Sequence, residues 1–348
     1  MENMDLAEAS KPHPELRQYF AQGGPNPFPK MGDLDATRKG LADGLRSVLS
    51  SMPPTYMEGV EKGQIEIPMR DGATMSALLY KPAGGSSAPL AVLYHGGGHA
   101  MGIPEMEESN AMILVRNHGC VVVSVDYRLA PEHNFPVPID DSWDAFKWVV
   151  AHAFQLGADP SKGFVVGGSS AGANIAAVVS HLARDEKVSP PLTGVFLAVP
   201  FTLPEGAVPE KYKDRYRSRE ESKRFEMSDP TAMLEAMSEY MQAWLYLGLI
   251  QTNAGLYQGD NASPLYVPFN WPSGHAGLPR TYLVVCGMDP LRDDGLLYEY
   301  VLRTESGVET KLDFYPGMPH GFWAVYPQFE ASKKATADVV AGWAWLMS

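Results

Sequence analysis

From Leu90 onward, short unbroken apolar runs recur along the chain: Ala91-Val92-Leu93-Tyr94, Val121 to Val125, Phe164 to Val166, Val195 to Val199 and Tyr282 to Val285. A strand covered on both faces needs such a run, because neither side of it meets water. Helical stretches lie between them: Ile139 to His152, Ala173 to Ala183 and Leu291 to Leu302. Lys311 to Tyr315 reads as a last strand and Phe329 to Leu346 as a closing helix. Strands alternating with helices predict an α/β fold with a parallel, doubly wound sheet. Ahead of this series, Gln64 to Met69 alternates polar and apolar. Ala73 to Tyr80 is apolar and follows the turn Arg70-Asp71-Gly72. Together they predict a hairpin at a sheet edge.

Two regions break the alternation. Residues 1–58 carry a Pro and Gly cluster, Gly23-Gly24-Pro25-Asn26-Pro27, between short helical stretches, one of them Leu34 to Leu49. They read as an N-terminal arm. Residues 201–265 show no buried strand. This insertion opens with the charge run Lys211 to Glu221, expected to be a solvated, mobile face. Met233, Met237, Tyr240, Met241, Trp244 and Leu245 follow at helical spacing. They predict a cap helix, packed on its own domain or roofing a pocket, for which methionine is well suited. The expected division is an arm at 1–58, a core at 59–200 and 266–348, and a cap insertion at 201–265.

The stretch Gly168-Ser169-Ser170-Ala171-Gly172 sits between a strand-like run and a helix start. A G-x-S-x-G pattern arises by chance in a chain this long roughly one time in ten, so its context must decide. Strand, G-x-S-x-G, helix is the context of a nucleophile elbow. The sharp turn needs small neighbours, and it aims a helix N-terminus at developing negative charge. Acyl transfer by serine also needs a base, a group to orient the base, and donors for the oxyanion. His95-Gly96-Gly97-Gly98 follows a strand and leaves N–H groups uncovered; Gly97 and Gly98, with the N–H of Ala171, form a candidate oxyanion hole. Asp289 follows the strand ending at Cys286 and is favoured as the orienting acid. Asp293 and Asp294 compete, but they stand in the first turn of the next helix, where acids stabilise it anyway. Of nine histidines, His320 lies in the loop after the last strand and completes the chain order Ser, Asp, His.

Bulk properties narrow the reading. The net charge of −13 argues against nucleic acid and anionic membranes as partners. No apolar run is long enough to span a bilayer, so no integral membrane association is expected, and no signal peptide is visible at Met1 to Asp5. The two cysteines, Cys120 and Cys286, lie in apolar runs and read as buried free thiols. A cytoplasmic protein is the expectation. His95 has no carboxylate or cysteine near it in sequence, so no metal site is expected.

Four blocks together resemble the hormone-sensitive lipase-like group of the α/β-hydrolases, the bacterial and fungal esterase type. They are His95-Gly96-Gly97-Gly98; Tyr127-Arg128-Leu129-Ala130-Pro131-Glu132-His133; Gly168-Ser169-Ser170-Ala171-Gly172; and Asp289-Pro290-Leu291-Arg292-Asp293 with His320-Gly321-Phe322. Ala262-Ser263-Pro264-Leu265 resembles the segment with which the group re-enters its core. The resemblance implies an α/β-hydrolase fold, with a mostly parallel, doubly wound eight-stranded sheet and a helical cap. It implies a serine hydrolase of carboxylic esters without a cofactor, acting on a small-molecule ester through Ser170, Asp289 and His320. It leaves a homodimer open. Two departures stand out. Ser169 fills a place where the group usually has Asp, and His99 one where it usually has a bulky apolar or aromatic residue, followed by Met101. His99, Met101, Ser169, Phe322 and Trp244 are the pocket candidates. Two other readings remain. One is a specialised deacylase, thioesterase or elimination enzyme on the same fold. The other is a non-catalytic ligand receptor, disfavoured because no triad member is missing.

Overall fold

The structure, a computed structural model, describes residues 5–25, 33–85, 87–224 and 256–348. Its centre is one sheet of eight strands: β1 (Val60–Pro68), β2 (Thr74–Pro82), β3 (Leu90–Tyr94), β4 (Val121–Val125), β5 (Phe164–Ser169), β6 (Gly194–Ala198), β7 (Arg280–Cys286) and β8 (Thr310–Tyr315). They lie in the order β1-β2-β4-β3-β5-β6-β7-β8. β2 pairs antiparallel with β1 and β4, and every pair from β4 through β8 is parallel. Strands β3, β4 and β6 are buried along their whole length, as their unbroken apolar runs predict.

The order reverses at β3, which sits between β4 and β5. In open α/β sheets a ligand crevice forms at such a switch point, beyond the carboxyl ends of the strands. The loops after β3 and β5 meet there, and they carry His95-Gly96-Gly97-Gly98 and Ser170.

Helices cover the sheet in two groups. Ala171–Asp185 packs on β3, β5 and β6 and touches Val137–Ala151. Glu330–Leu346 packs on β6, β7 and β8 and touches Glu108–His118. The pattern of the sequence does not announce Glu108–His118, for a physical reason. Glu108 is buried where it meets Lys62 and the Tyr80 hydroxyl, so a polar letter stands at an inward position. Val137–Ala151 and Arg292–Tyr300 fall within a few residues of their expected limits, the latter continuing as a wide turn over Val301–Glu305.

The insertion departs from expectation in one respect. Its charge run is not simply a solvated face: Tyr212, Ser218 and Arg219 are buried, Arg219 to 1% exposure. Acids of the core draw this segment in. Asp293 accepts the N–H groups of Arg217 and Ser218 at 2.6 and 2.7 Å. Asp294 accepts from the Tyr216 hydroxyl at 2.6 Å and pairs with Arg219 at 3.3 Å. The expected cap helix, Met233 to Leu245, lies outside the described residues. Among the described residues, no helix is long and apolar enough to cross a membrane.

Candidate active site

Ser170 stands between the end of β5 and the helix Ala171–Asp185, with φ 58° and ψ −115°. That is left-handed backbone, costly for a residue with a Cβ and held only where its surroundings over-determine it. Here they do. The Ser170 N–H donates to the Ala198 carbonyl at the end of β6, 2.8 Å away. Two residues to either side a side chain is excluded, because a Cβ at Gly168 or Gly172 would run into the Tyr94 carbonyl oxygen. Asn174, one turn into the helix and fully buried, donates to the Phe201 and Tyr266 carbonyls at 2.8 and 3.0 Å. It ties the elbow to both ends of the insertion. Sequence reasoning passed over it; its signal is a lone amide in a helix of alanine, valine and isoleucine.

Asp289 is buried after β7 and His320 follows β8, so Ser170, Asp289 and His320 all lie beyond the carboxyl ends of parallel strands. The His320 Nδ1 lies 2.6 Å from Asp289 Oδ2. Asp289 Oδ1 accepts the Leu291 N–H at 2.8 Å, which fixes the carboxylate plane. An Nδ1–H donated to a carboxylate leaves Nε2 as the basic nitrogen. Asp293 and Asp294 are taken up instead by the insertion, as described above.

The candidate oxyanion loop is held from several sides. Gly97 has φ 113° and accepts the N–H groups of Ala100 and Met101, and a Cβ on it would meet the Met101 carbonyl. Gly98 is also left-handed, at φ 64°. Ala171 opens the helix, where its N–H has no intrahelical acceptor. His95 stacks on Tyr127, ring centroids 4.3 Å apart, and the Tyr127 hydroxyl donates to the His95 carbonyl at 2.7 Å. The two sequence blocks are thus one packed unit. From the arm helix Leu34–Ser51, Arg38 donates to the Ala100 carbonyl at 2.7 Å, to the Ala130 carbonyl at 2.5 Å, and to Glu132 at 2.8 Å. No local motif marks Arg38, because its partners at Ala100, Ala130 and Glu132 lie far away in sequence.

The pocket candidates separate. His99 is fully buried with φ 57°, and its ring stacks on Tyr257 at 4.0 Å. Among the described residues neither of its nitrogens has a hydrogen-bond partner, and the Tyr257 hydroxyl and Asn134 Oδ1 are also buried without one. Burial lowers His99 to about 3 and His95 to about 4, so both are neutral at pH 7. Met101 is half-buried against the core, and Ser169 is half-buried at the end of β5. Phe322 is fully buried against Tyr315 and Trp323. Trp244 lies outside the described residues. Cys120 and Cys286 are buried and unpaired. Among the described residues no cluster of histidine, cysteine and acid could hold a metal ion.

The family described as alpha/beta hydrolase fold matches residues 91–324. Versiconal hemiacetal acetate esterase of Dothistroma septosporum is 33% identical over 311 residues, covering 89% of this chain and 88% of its own. Carboxylesterase NlhH of Mycobacterium tuberculosis is 35% identical over 263 residues, 75% of this chain and 72% of its own. Among solved structures, that of vibralactone cyclase superposes with a TM-score of 0.81 at 31% identity, covering 98% of this chain and 96% of that one.

Proposed function

The chain belongs to the alpha/beta hydrolases, in their hormone-sensitive lipase-like esterase group, and is a carboxylic-ester hydrolase; from that premise we propose that it cleaves small-molecule esters through an acyl-enzyme on Ser170. The Ser170 hydroxyl attacks the ester carbonyl while His320 Nε2 takes its proton. Asp289 holds His320 in the tautomer that leaves Nε2 basic, and stabilises the imidazolium that forms. The N–H groups of Gly97, Gly98 and Ala171 meet the oxyanion. His320 then protonates the departing alcohol. Water repeats the sequence, taking the acyl group from Ser170 and returning the proton to the serine. No cofactor has a part in this.

The observation that carries this reading is the 2.6 Å contact between His320 and Asp289, on loops that leave the same end of the parallel strands as a serine held in left-handed backbone. In the same reading residues 59–200 and 266–348 form the catalytic core, while 1–58 and 201–265 cover it. Two buried unpaired cysteines fit a reducing compartment, and we assign the protein to the cytoplasm on that ground. The experiment is reaction with a fluorophosphonate followed by peptide mass mapping. One adduct per chain on the Ser170 peptide, with loss of esterase activity, is expected. An active enzyme that takes no label there would overturn the assignment.

A second reading has one observation behind it, the superposition on a cyclase. A hydroxyl of the bound acyl group could take the place of water, closing a lactone and releasing Ser170 with its proton. A hydroxyacyl ester that yields lactone in place of free acid would favour it.

A further inference from the structure

The helix Ala171–Asp185 is tied along its length to the segment that returns to the sheet before β7. Asn174 donates to the Tyr266 carbonyl at 3.0 Å, and Arg184 to the Gly274 and Ala276 carbonyls at 2.8 and 2.9 Å. Asp185 accepts the Trp271 indole N–H at 2.8 Å and the Ser273 hydroxyl at 2.9 Å. Among these ties lies a pair of buried histidines, His181 on the helix and His275 on the segment, 0% and 6% exposed.

Their protons can be counted. His181 Nδ1 lies 2.8 Å from the Ala177 carbonyl oxygen, and His275 Nε2 lies 3.1 Å from that of Phe269. A carbonyl oxygen only accepts, so each of these nitrogens carries a hydrogen. A neutral imidazole has one N–H, so both are then used. The two remaining nitrogens, His181 Nε2 and His275 Nδ1, face each other at 2.9 Å. Two bare lone pairs repel at that distance, and a hydrogen bond there needs a third proton. The three contacts together fit a pair holding one proton more than two neutral histidines do.

We propose that His181 and His275 bind one proton between them, forming a pH-dependent clamp that joins the helix behind Ser170 to the segment feeding β7 and Asp289. The clamp does not depend on the reaction at Ser170. Its surroundings admit one charge and not two. Trp271 stacks on His181, ring centroids 4.5 Å apart, and Tyr298 meets His275 at 5.4 Å, both favourable to a cation. Burial lowers the proton affinity of each ring taken singly, and Arg184 adds to this; Asp185 beside His181 and Glu305 beside His275 oppose it. Glu305 also holds Lys211 at 2.9 Å and the Tyr212 hydroxyl, both from the insertion. The bond between the rings acts only on the pair, so the two titrate as a unit. It raises their first step above the ordinary 6.5, while like charges so close push the second far below. Above 6.5 the unfolded chain holds neither proton. The clamp's stability is therefore full near pH 6.5 and is lost as pH rises through the first step.

Nuclear magnetic resonance of the protein labelled with 15N-histidine reads the count directly. A 15N–15N coupling across the hydrogen bond identifies the pair. At pH 6.5 the pair should show three ring N–H protons, and one should leave in a single step, shared by both rings, before about pH 9. Two N–H protons throughout, three throughout, or a separate step for each ring would overturn the proposal. His275→Gln gives a second readout, because a neutral amide donates to both His181 Nε2 and the Phe269 carbonyl. Between pH 6.5 and 9 the parent should lose a few degrees more in melting temperature than this variant; equal losses would contradict the clamp. Should His275→Gln fail to fold, the proton count in the parent decides.

Discussion

The two walls of the candidate active site treat their polar atoms differently. On the wall built by the loops after β7 and β8, buried acids have partners within the chain. Asp289 binds His320 and the Leu291 N–H. Asp293 binds Arg292 and two backbone N–H groups, and Asp294 binds Tyr216, Arg219 and the N–H groups of Thr202 and Leu203. On the wall around the loop after β3, both nitrogens of His99, Nε2 of His95, and the neighbouring Tyr257 hydroxyl and Asn134 Oδ1 are buried with no partner among the described residues. A buried polar atom without a partner costs roughly 1–3 kcal/mol. The first wall is fixed geometry; the second keeps hydrogen-bonding capacity that the described residues do not use. Catalysis needs the first kind of wall, and recognition of a polar substrate the second.

The sharpest way to break this comparison is to separate acids that stand close together. Asp289→Asn should lower kcat by about 10³- to 10⁴-fold with little change in melting temperature, because only the tautomer and charge behind His320 are lost. A drop below 10-fold would remove Asp289 from the triad. Asp294→Ala should behave the other way. It breaks the buried ion pair with Arg219 and removes the acceptor of Tyr216 and of the Thr202 and Leu203 N–H groups, which costs about 3–5 kcal/mol. Denaturant unfolding should show that loss, while the folded fraction is still labelled at Ser170.

On the other wall, His99→Phe keeps the stack on Tyr257 and removes two unsatisfied nitrogens. The expected gain is about 1–2 kcal/mol, read in thermal unfolding, with a rise in KM for polar esters. The sign of the pH effect follows from the ring. Its folded value of about 3 lies below the unfolded 6.5, so the unfolded chain binds the proton first. Stability present above pH 6.5 is lost as pH falls toward 3, by about 1.4 kcal/mol per pH unit for each such histidine. The variant should therefore lose less stability than the parent between pH 6.5 and 4; equal losses would show that His99 titrates normally. Smallest of all, Arg38→Ala should cost about 1 kcal/mol or less in stability, since Glu132 is half exposed, while lowering kcat a few-fold by loosening the loop at Ala100. An unchanged kcat would leave Arg38 a surface contact only.

The sheet is legible in the sequence because a strand such as Leu90–Tyr94 must be apolar throughout. The elbow and the loops bearing Asp289 and His320 are legible because tight turns admit few residues. What escapes falls into two physical classes. One is the buried charge with a partner: Glu108 hides a helix and Arg219 makes an inward segment look solvated. The other is the distant contact, which leaves no local pattern: Arg38 on the loop after β3 and Asn174 on two returning segments. His99 and Ser169 stand out in the sequence only as departures, and only their surroundings say what each touches.

The central claim is that Ser170 carries the reaction. Hydrolysis of p-nitrophenyl acetate and butyrate by the parent and by Ser170→Ala tests it most directly. The expected result is a loss of at least about 10³-fold for both esters, in a variant whose unfolding transition matches the parent's. Equal rates for the two proteins would contradict it.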